Sequence, residues 1–324
     1  MKRNPTELGL AIAAVVGVGV LTFAAGYGLS RLTPPPARAK VFAPPPESAI
    51  PKSDFGRQVA LGRAIFDDPG RYAHAFVGND LKCSNCHLGE GRVADSAPLW
   101  GAYVAYPQYR AKNGHVNTFA ERLQGCFRFS ENGKAPPLGD PVLVALESYA
   151  YFLAKGAPTG VKLPGAGFPK LPKSASLDYS RGQDIYTANC ALCHGFDGAG
   201  QAARGQVVFP PLWGPRSYNW GAGMAQINNA AGFIKANMPL GKGGSLTDQQ
   251  AWDVATFVDS QPRPQDPRFT GDLAGTRRKF HDPTYSMYGK TANGVLLGGP
   301  EAPSDPPAPG AGQTRGPVQA KPAG

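Results

Sequence analysis

The chain is short of charge, of long basic runs and of methionine, and each shortage narrows what it can be. Charged residues make up 17% of its 324 residues, too few for a coiled coil or a polyelectrolyte. No run of five lysines and arginines occurs, so a nucleic-acid tract is excluded and no nucleic-acid partner is expected. Only four methionines are present, and none falls between Lys52 and Gly160. Glycine and proline are abundant instead, at 42 and 33 residues, roughly double average usage. With 42% apolar residues the chain can still build cores. The expectation is two domains of ordinary size, joined and flanked by irregular segments.

Five cysteines define the class. Four lie in two copies of one pattern, Cys83-Ser84-Asn85-Cys86-His87 and Cys190-Ala191-Leu192-Cys193-His194. Cys-x-x-Cys-His is the attachment signature of a c-type haem. Two thiols three positions apart form thioethers with the two vinyl groups of one porphyrin, and the adjacent histidine becomes the proximal iron ligand. A single copy could be a redox dithiol or half a zinc site; two copies, each with its own histidine, are not read that way. The expected cofactors are two covalently bound haem c groups, held by Cys83, Cys86, Cys190 and Cys193, with His87 and His194 on iron.

The N-terminus runs without charge from Leu8 to Leu29 after Lys2-Arg3, long enough to span a bilayer as a helix. Residues 1–31 are expected to be a membrane anchor or a signal peptide, for which Phe23-Ala24-Ala25 offers a small-residue cleavage site. The anchor is the preferred reading, because a stiff proline-rich linker, 32–51, follows. Lys2 and Arg3 put the N-terminus in the cytoplasm. The rest is then on the periplasmic side of a bacterial inner membrane, or in the soluble periplasm if the segment is cleaved.

The fold class expected is all-α: two tandem cytochrome c domains after an N-terminal transmembrane helix or signal sequence. Residues 52–160 form the first domain, 161–175 a glycine/proline-rich linker and 176–264 the second domain. Both domains open with a helix carrying the same spacing, Gly62/Ile65/Phe66 and Gly182/Ile185/Tyr186, and close with an apolar-periodic helix, Val142–Ala154 and Thr247–Ser260. A C-terminal extension, 265–298, holds Tyr285, Met287 and Tyr288, which point to packing on a haem domain. The tail 299–324 lacks aromatics, is rich in proline, alanine and glycine, and is expected to be disordered. Without the two termini, 1–51 and 299–324, the chain keeps a net charge of +7, a surface suited to anionic substrates or an acidic electron-transfer partner.

The distal iron ligands separate a carrier from an enzyme. Methionine is a common distal ligand and raises the potential. Met238, in Asn237-Met238-Pro239, lies 44 residues after His194 and just before a closing helix, where a distal methionine loop belongs. Met224 is the alternative. The first domain has no methionine to offer, so its candidates are Cys126, His115 and His74. Cys126 lies 39 residues after His87, in the position analogous to Met238, and is the one cysteine left over. A thiolate there would lower the iron potential and be a strong nucleophile toward sulfur. A buried inert cysteine, an intermolecular disulfide or ligation by His115 are the competing readings.

Several strings carry a closer resemblance. They include Gly78-Asn79-Asp80-Leu81-Lys82-Cys83, Tyr106-Pro107-Gln108-Tyr109-Arg110, Glu121-Arg122-Leu123-Gln124-Gly125-Cys126, Phe209-Pro210-Pro211-Leu212-Trp213-Gly214, Gly221-Ala222-Gly223-Met224 and Asn237-Met238-Pro239-Leu240-Gly241. Over residues 53–264 the chain resembles the thiosulfate dehydrogenases of the dihaem TsdA type. The resemblance implies a catalytic haem ligated by His87 and Cys126 and an electron-exit haem ligated by His194 and Met238. It also implies a substrate-binding arginine at Arg122 and an active-site serine at Ser130. Phe129 and Glu131 stand where the family pattern has arginine and methionine, which removes a cation and adds a carboxylate.

The activity implied is oxidation of two thiosulfates to tetrathionate, reversible in some relatives, with electrons passed to a soluble cytochrome c or other periplasmic electron acceptor. The alternative is a non-catalytic, membrane-tethered dihaem electron-transfer cytochrome c.

Overall fold

The computed structural model describes residues 41–299, apart from Ala175 and Gly205. The expected anchor or signal peptide, the start of the proline-rich linker and the tail from residue 300 lie outside the described residues. Among the described residues, no helix is long and apolar enough to cross a membrane.

Each half is organised by one helix crossing. In the first, α1 (Asp54–Asp67) starts at Ser53, whose hydroxyl accepts from Gly56 N at 3.3 Å, a side-chain cap for an otherwise orphaned amide. After the short helices α2 (Pro69–Tyr72), α3 (Cys83–Cys86), α4 (Leu99–Tyr103) and α5 (Phe119–Gly125) comes α6 (Pro141–Leu153), capped by Asp140. α1 packs across α6 at Gly62, where a Cβ would stand 2.0 Å from the Ala145 carbonyl oxygen. Only glycine permits that approach. Val59, Ile65 and Phe66 then meet Leu146, Tyr149 and Leu153 in a closed core.

The second half repeats this arrangement. α7 (Tyr179–Asn189) is capped by Asp178, α8 (Ala191–His194) carries the second haem motif, and α9 (Ile227–Asn237) precedes α10 (Asp248–Asp259). Thr247 and Gln250 close a reciprocal capping box at the start of α10, satisfying two end amides together. α7 crosses α10 at Gly182, where a Cβ would stand 2.1 Å from the Asp253 carbonyl oxygen. Asp253 also accepts from Arg181 Nε at 2.8 Å, Asp178 N at 3.0 Å and Gln249 Nε2 at 2.9 Å. Asp253→Ala strands these donors and is expected to cost about 2 kcal/mol, read as a lower denaturant midpoint with an unchanged slope.

The all-α expectation holds for the helices and fails for three short antiparallel hairpins: β1 (Gln108–Arg110) with β2 (His115–Asn117), β3 (Gln201–Ala203) with β4 (Gln206–Phe209), and β5 (Thr291–Ala292) with β6 (Val295–Leu296). Strands this short leave no alternation long enough to read from sequence. The linker expectation also needs correction at its C-terminal end. From residue 41 the chain lies on the first half, with Phe42 against Trp100 at 5.6 Å, Glu47 paired to Arg63 and Pro45 O accepting from Arg92.

Buried amides join the halves. Asn79 Nδ2 donates to Ser130 O at 2.8 Å and to Ser217 O at 3.1 Å. Asn219, fully buried, donates from Nδ2 to Arg128 O and to Asn132 Oδ1, both at 2.9 Å. The C-terminal extension, including α11 (Leu273–Phe280), packs back as expected. Tyr285 stacks on Trp252 at 5.6 Å, and Tyr288 shares a core with Leu81, Phe129 and Trp220.

Candidate functional site

The first Cys-x-x-Cys-His motif forms α3 and ends on His87. His87 Nδ1 lies 2.7 Å from Ala97 O; a carbonyl only accepts, so Nδ1 carries the proton. Burial pushes the His87 pKa down to about 4, keeping the ring neutral near pH 7 and leaving the Nε2 lone pair for a metal. The second motif repeats the device. His194 Nδ1 lies 2.9 Å from Pro210 O, and burial lowers its pKa too.

Opposite α3 in sequence order, α5 runs into a π turn, Cys126–Ser130, closed by Glu131 N donating to Cys126 O at 3.0 Å. The i→i+5 bond widens the helix, a distortion common at functional sites. Arg122, Cys126, Ser130 and Glu131 consequently line one cavity, together with Cys83, Cys86 and His87. Counted out to where it opens to solvent, the space these residues line is about 1060 Å³. Its walls include Phe66, Leu99, Leu123 and Leu146 from the first half, and Tyr218, Gly223 and Met224 from the second.

Within it, Arg122 Nη1 donates to Cys126 Sγ at 3.0 Å. One helical turn separates the two residues, so α5 itself sets this pairing. The alternatives for the first iron lie elsewhere. His115 is exposed on β2 and pairs with Glu121 at 2.9 Å, and His74 sits in a short turn on the surface; neither lines the cavity. Met224, the alternative to Met238, lies against the first cavity and packs with Ile227 and Trp252. Met238 follows α9, its N–H donated to Ile234 O at 2.9 Å. It is half-buried, as are Cys190, Cys193 and His194.

Glu131 does not act as the extra negative charge its sequence position implies. It is 2% exposed, and burial pushes its pKa up to about 8, so the neutral acid dominates at pH 7.

A haem group fits this cavity. Two thiols and a neutral imidazole converge on it, its walls are mostly apolar, and Glu131 Oε2 is buried without a hydrogen-bond partner among the described residues. An orphaned polar atom of this kind marks a site that a further group completes.

The cytochrome C oxidase, cbb3-type, subunit III family matches residues 177–258. A thiosulfate dehydrogenase of Thiomonas intermedia is 54% identical, over 94% of this chain and 99% of its own. One of Stutzerimonas stutzeri is 50% identical, over 90% and 94%. The solved structure of thiosulfate dehydrogenase (TsdBA) from Marichromatium purpuratum superposes with a TM-score of 0.77 at 48% identity, covering 82% of this chain and 59% of that one. The chain belongs to the thiosulfate dehydrogenase family. As in a thiosulfate dehydrogenase of cytochrome type, its cofactor is covalently bound haem c. Cys83, Cys86 and His87 are the residues that would hold one group in the cavity described, and Cys190, Cys193 and His194 the other.

Two features of the structure escape sequence reasoning. The wall formed by Tyr218, Gly223 and Met224 crosses from the second half to the first haem cavity; the string Gly221-Ala222-Gly223-Met224 marked the segment, not its destination. Lys112 and Arg268 are both brought to Phe129, from a hairpin and an extension without any motif.

Proposed function

We propose that this thiosulfate dehydrogenase couples two thiosulfates into tetrathionate at the cavity shared by His87, Arg122 and Cys126, and passes the two electrons on through the second haem site. The observation that carries the reading is the Arg122–Cys126 contact at 3.0 Å inside that cavity.

Joining two dianions through sulfur requires cations to offset their repulsion during approach. Arg122 offers charge-assisted hydrogen bonds to sulfonate oxygens. Cys126 is the nucleophile and distal-ligand candidate, its sulfur oriented by the same guanidinium. Ser130, one π turn further on, adds a hydroxyl to the cavity wall. Haem, when bound, supplies one-electron acceptors for a reaction that releases two. His87 and His194 present Nε2 because each ring's Nδ1–H is engaged by a carbonyl. Met238 is the distal-ligand candidate of the second site.

In this reading residues 52–160 and 176–264 are tandem cytochrome c domains, working in the periplasm and delivering electrons to a soluble cytochrome c or another periplasmic acceptor. The test uses oxidised holoprotein, thiosulfate and ferricyanide. One tetrathionate formed for every two ferricyanides reduced is expected. No thiosulfate consumption, with both haems loaded and reducible by dithionite, leaves only an electron carrier.

A further inference from the structure

A second group of cations gathers on the ring of Phe129. Lys112 Nζ stands 3.8 Å from its centroid, and the guanidinium carbons of Arg268 and Arg128 stand 4.9 and 5.5 Å from it. The three come from different places: the β1–β2 turn, the C-terminal extension and the π turn that begins at Cys126. Phe129 is held against Gly221, where a Cβ would stand 2.3 Å from Phe129 Cδ1, and Lys112 Nζ donates to Gly221 O.

The charges are not balanced locally. Asp266 accepts from Arg268 Nε at 2.9 Å and Nη2 at 2.6 Å, leaving Nη1 without a hydrogen-bond partner among the described residues. Lys112 is open to solvent although protein crowds it. That crowding, and then the guanidiniums of Arg268 and Arg122, draws its pKa down to about 7, against the pull of Asp266 and Cys126. Cations gathered this way repel one another in the free protein, and a bound anion removes the penalty.

We propose that Lys112 and Arg268 form a second sulfonate subsite, separate from Arg122 at Cys126, which takes the far end of tetrathionate or the second of two thiosulfates. The proposal rests on the thiosulfate-oxidising reading above and gives a role to the C-terminal extension. Arg268 is fixed by Asp266, and Asp266 by its surroundings. His281 Nε2 lies 3.0 Å from Asp266 Oδ2, though out of line for a hydrogen bond, and His281 Nδ1 lies 3.2 Å from Ser286 Oγ. The His281 ring stacks on Tyr288 at 4.1 Å. Ser286 is fully buried, so this Ser–His–Asp series has no access to substrate. These are positioning residues.

The test is binding of potassium tetrathionate to the oxidised holoprotein by calorimetry, with no electron donor present, beside binding of sodium sulfate as a dianion with one tetrahedral end. Arg268→Gln and Lys112→Gln are each expected to weaken tetrathionate binding about tenfold or more, while sulfate affinity stays within about twofold. Unchanged tetrathionate affinity in both variants, or equal losses for both anions, overturns the subsite. Lys112 is solvent-exposed, so Lys112→Gln decides the matter if Arg268→Gln fails to fold.

Asp266→Asn separates positioning from charge. Removing a negative charge alone strengthens anion binding, whereas a loosened Arg268 weakens it. Weaker binding is expected, and tighter binding overturns the positioning role. Wild-type protein that binds tetrathionate but does not oxidise thiosulfate ends the functional reading and leaves the subsite. Normal turnover with unaltered tetrathionate binding in the variants does the reverse.

Discussion

Cys126→Gly is expected to lower thiosulfate-dependent ferricyanide reduction by about a thousandfold or more, the scale of losing a reacting nucleophile. Both haems should remain attached, because the four cysteines and two histidines of the Cys-x-x-Cys-His motifs are untouched. A haem count per chain and a turnover assay on one preparation therefore separate chemistry from assembly. The size of the effect follows from the cavity. Arg122 points its Nη1 at Cys126 Sγ, and no other cysteine besides the attachment pair lines that space. The visible and near-infrared spectra of the oxidised variant should change at the first haem alone. Normal turnover in Cys126→Gly would end the reading of this sulfur as the reacting group.

The second large effect is on stability. Gly62→Ala and Gly182→Ala each place a methyl about 2 Å from a backbone carbonyl oxygen of the partner helix, Ala145 O or Asp253 O. A backbone oxygen in a helix cannot swing aside, so the helices must separate. The expected cost is about 3 kcal/mol, at the upper end for overpacking. For a chain of this size that lowers the unfolding midpoint by roughly 10 °C. Gly70→Ala is the control: its nearest neighbour would be Asp68 Oδ1 at 3.8 Å, and in α2 it should be neutral or slightly stabilising. If Gly182→Ala melts with the wild type, close helix contact is not what holds the second half.

Both predictions began as patterns in the chain. The repeated Gly-x-x-Ile-aromatic spacing was legible because an interhelical contact imposes a residue type at fixed helical intervals. The closing helices, expected at Val142–Ala154 and Thr247–Ser260, are Pro141–Leu153 and Asp248–Asp259, each end within one residue of the expectation, with side-chain caps at Asp140 and Thr247 setting the starts. The haem motifs were legible because covalent chemistry fixes two sulfurs and one imidazole within five residues. Cys126 stood out by elimination, as the cysteine not used by either motif.

Less was legible wherever a side chain's partner lies far along the chain. Glu131 reads as a charge in sequence, yet burial makes it a neutral acid near pH 7. The π turn has no signature, since its extra residue alters the hydrogen-bond register without changing composition. Residues 41–51 read as a stiff spacer because of their prolines, while Phe42, Pro45 and Glu47 each find a partner on the first half.

By itself the sequence determined the covalent chemistry and the paired helices, because bonds and helical periodicity act over a few neighbouring residues. Only the tertiary structure decided which surfaces enclose the Cys126 sulfur and which cations gather at Phe129. Tyr218 and Met224 reach the first cavity from the other half, and Lys112 and Arg268 meet at Phe129 across more than 150 positions of chain. Such encounters depend on buried amides such as Asn79 and Asn219 finding backbone partners across the junction, and local spacing carries no record of them.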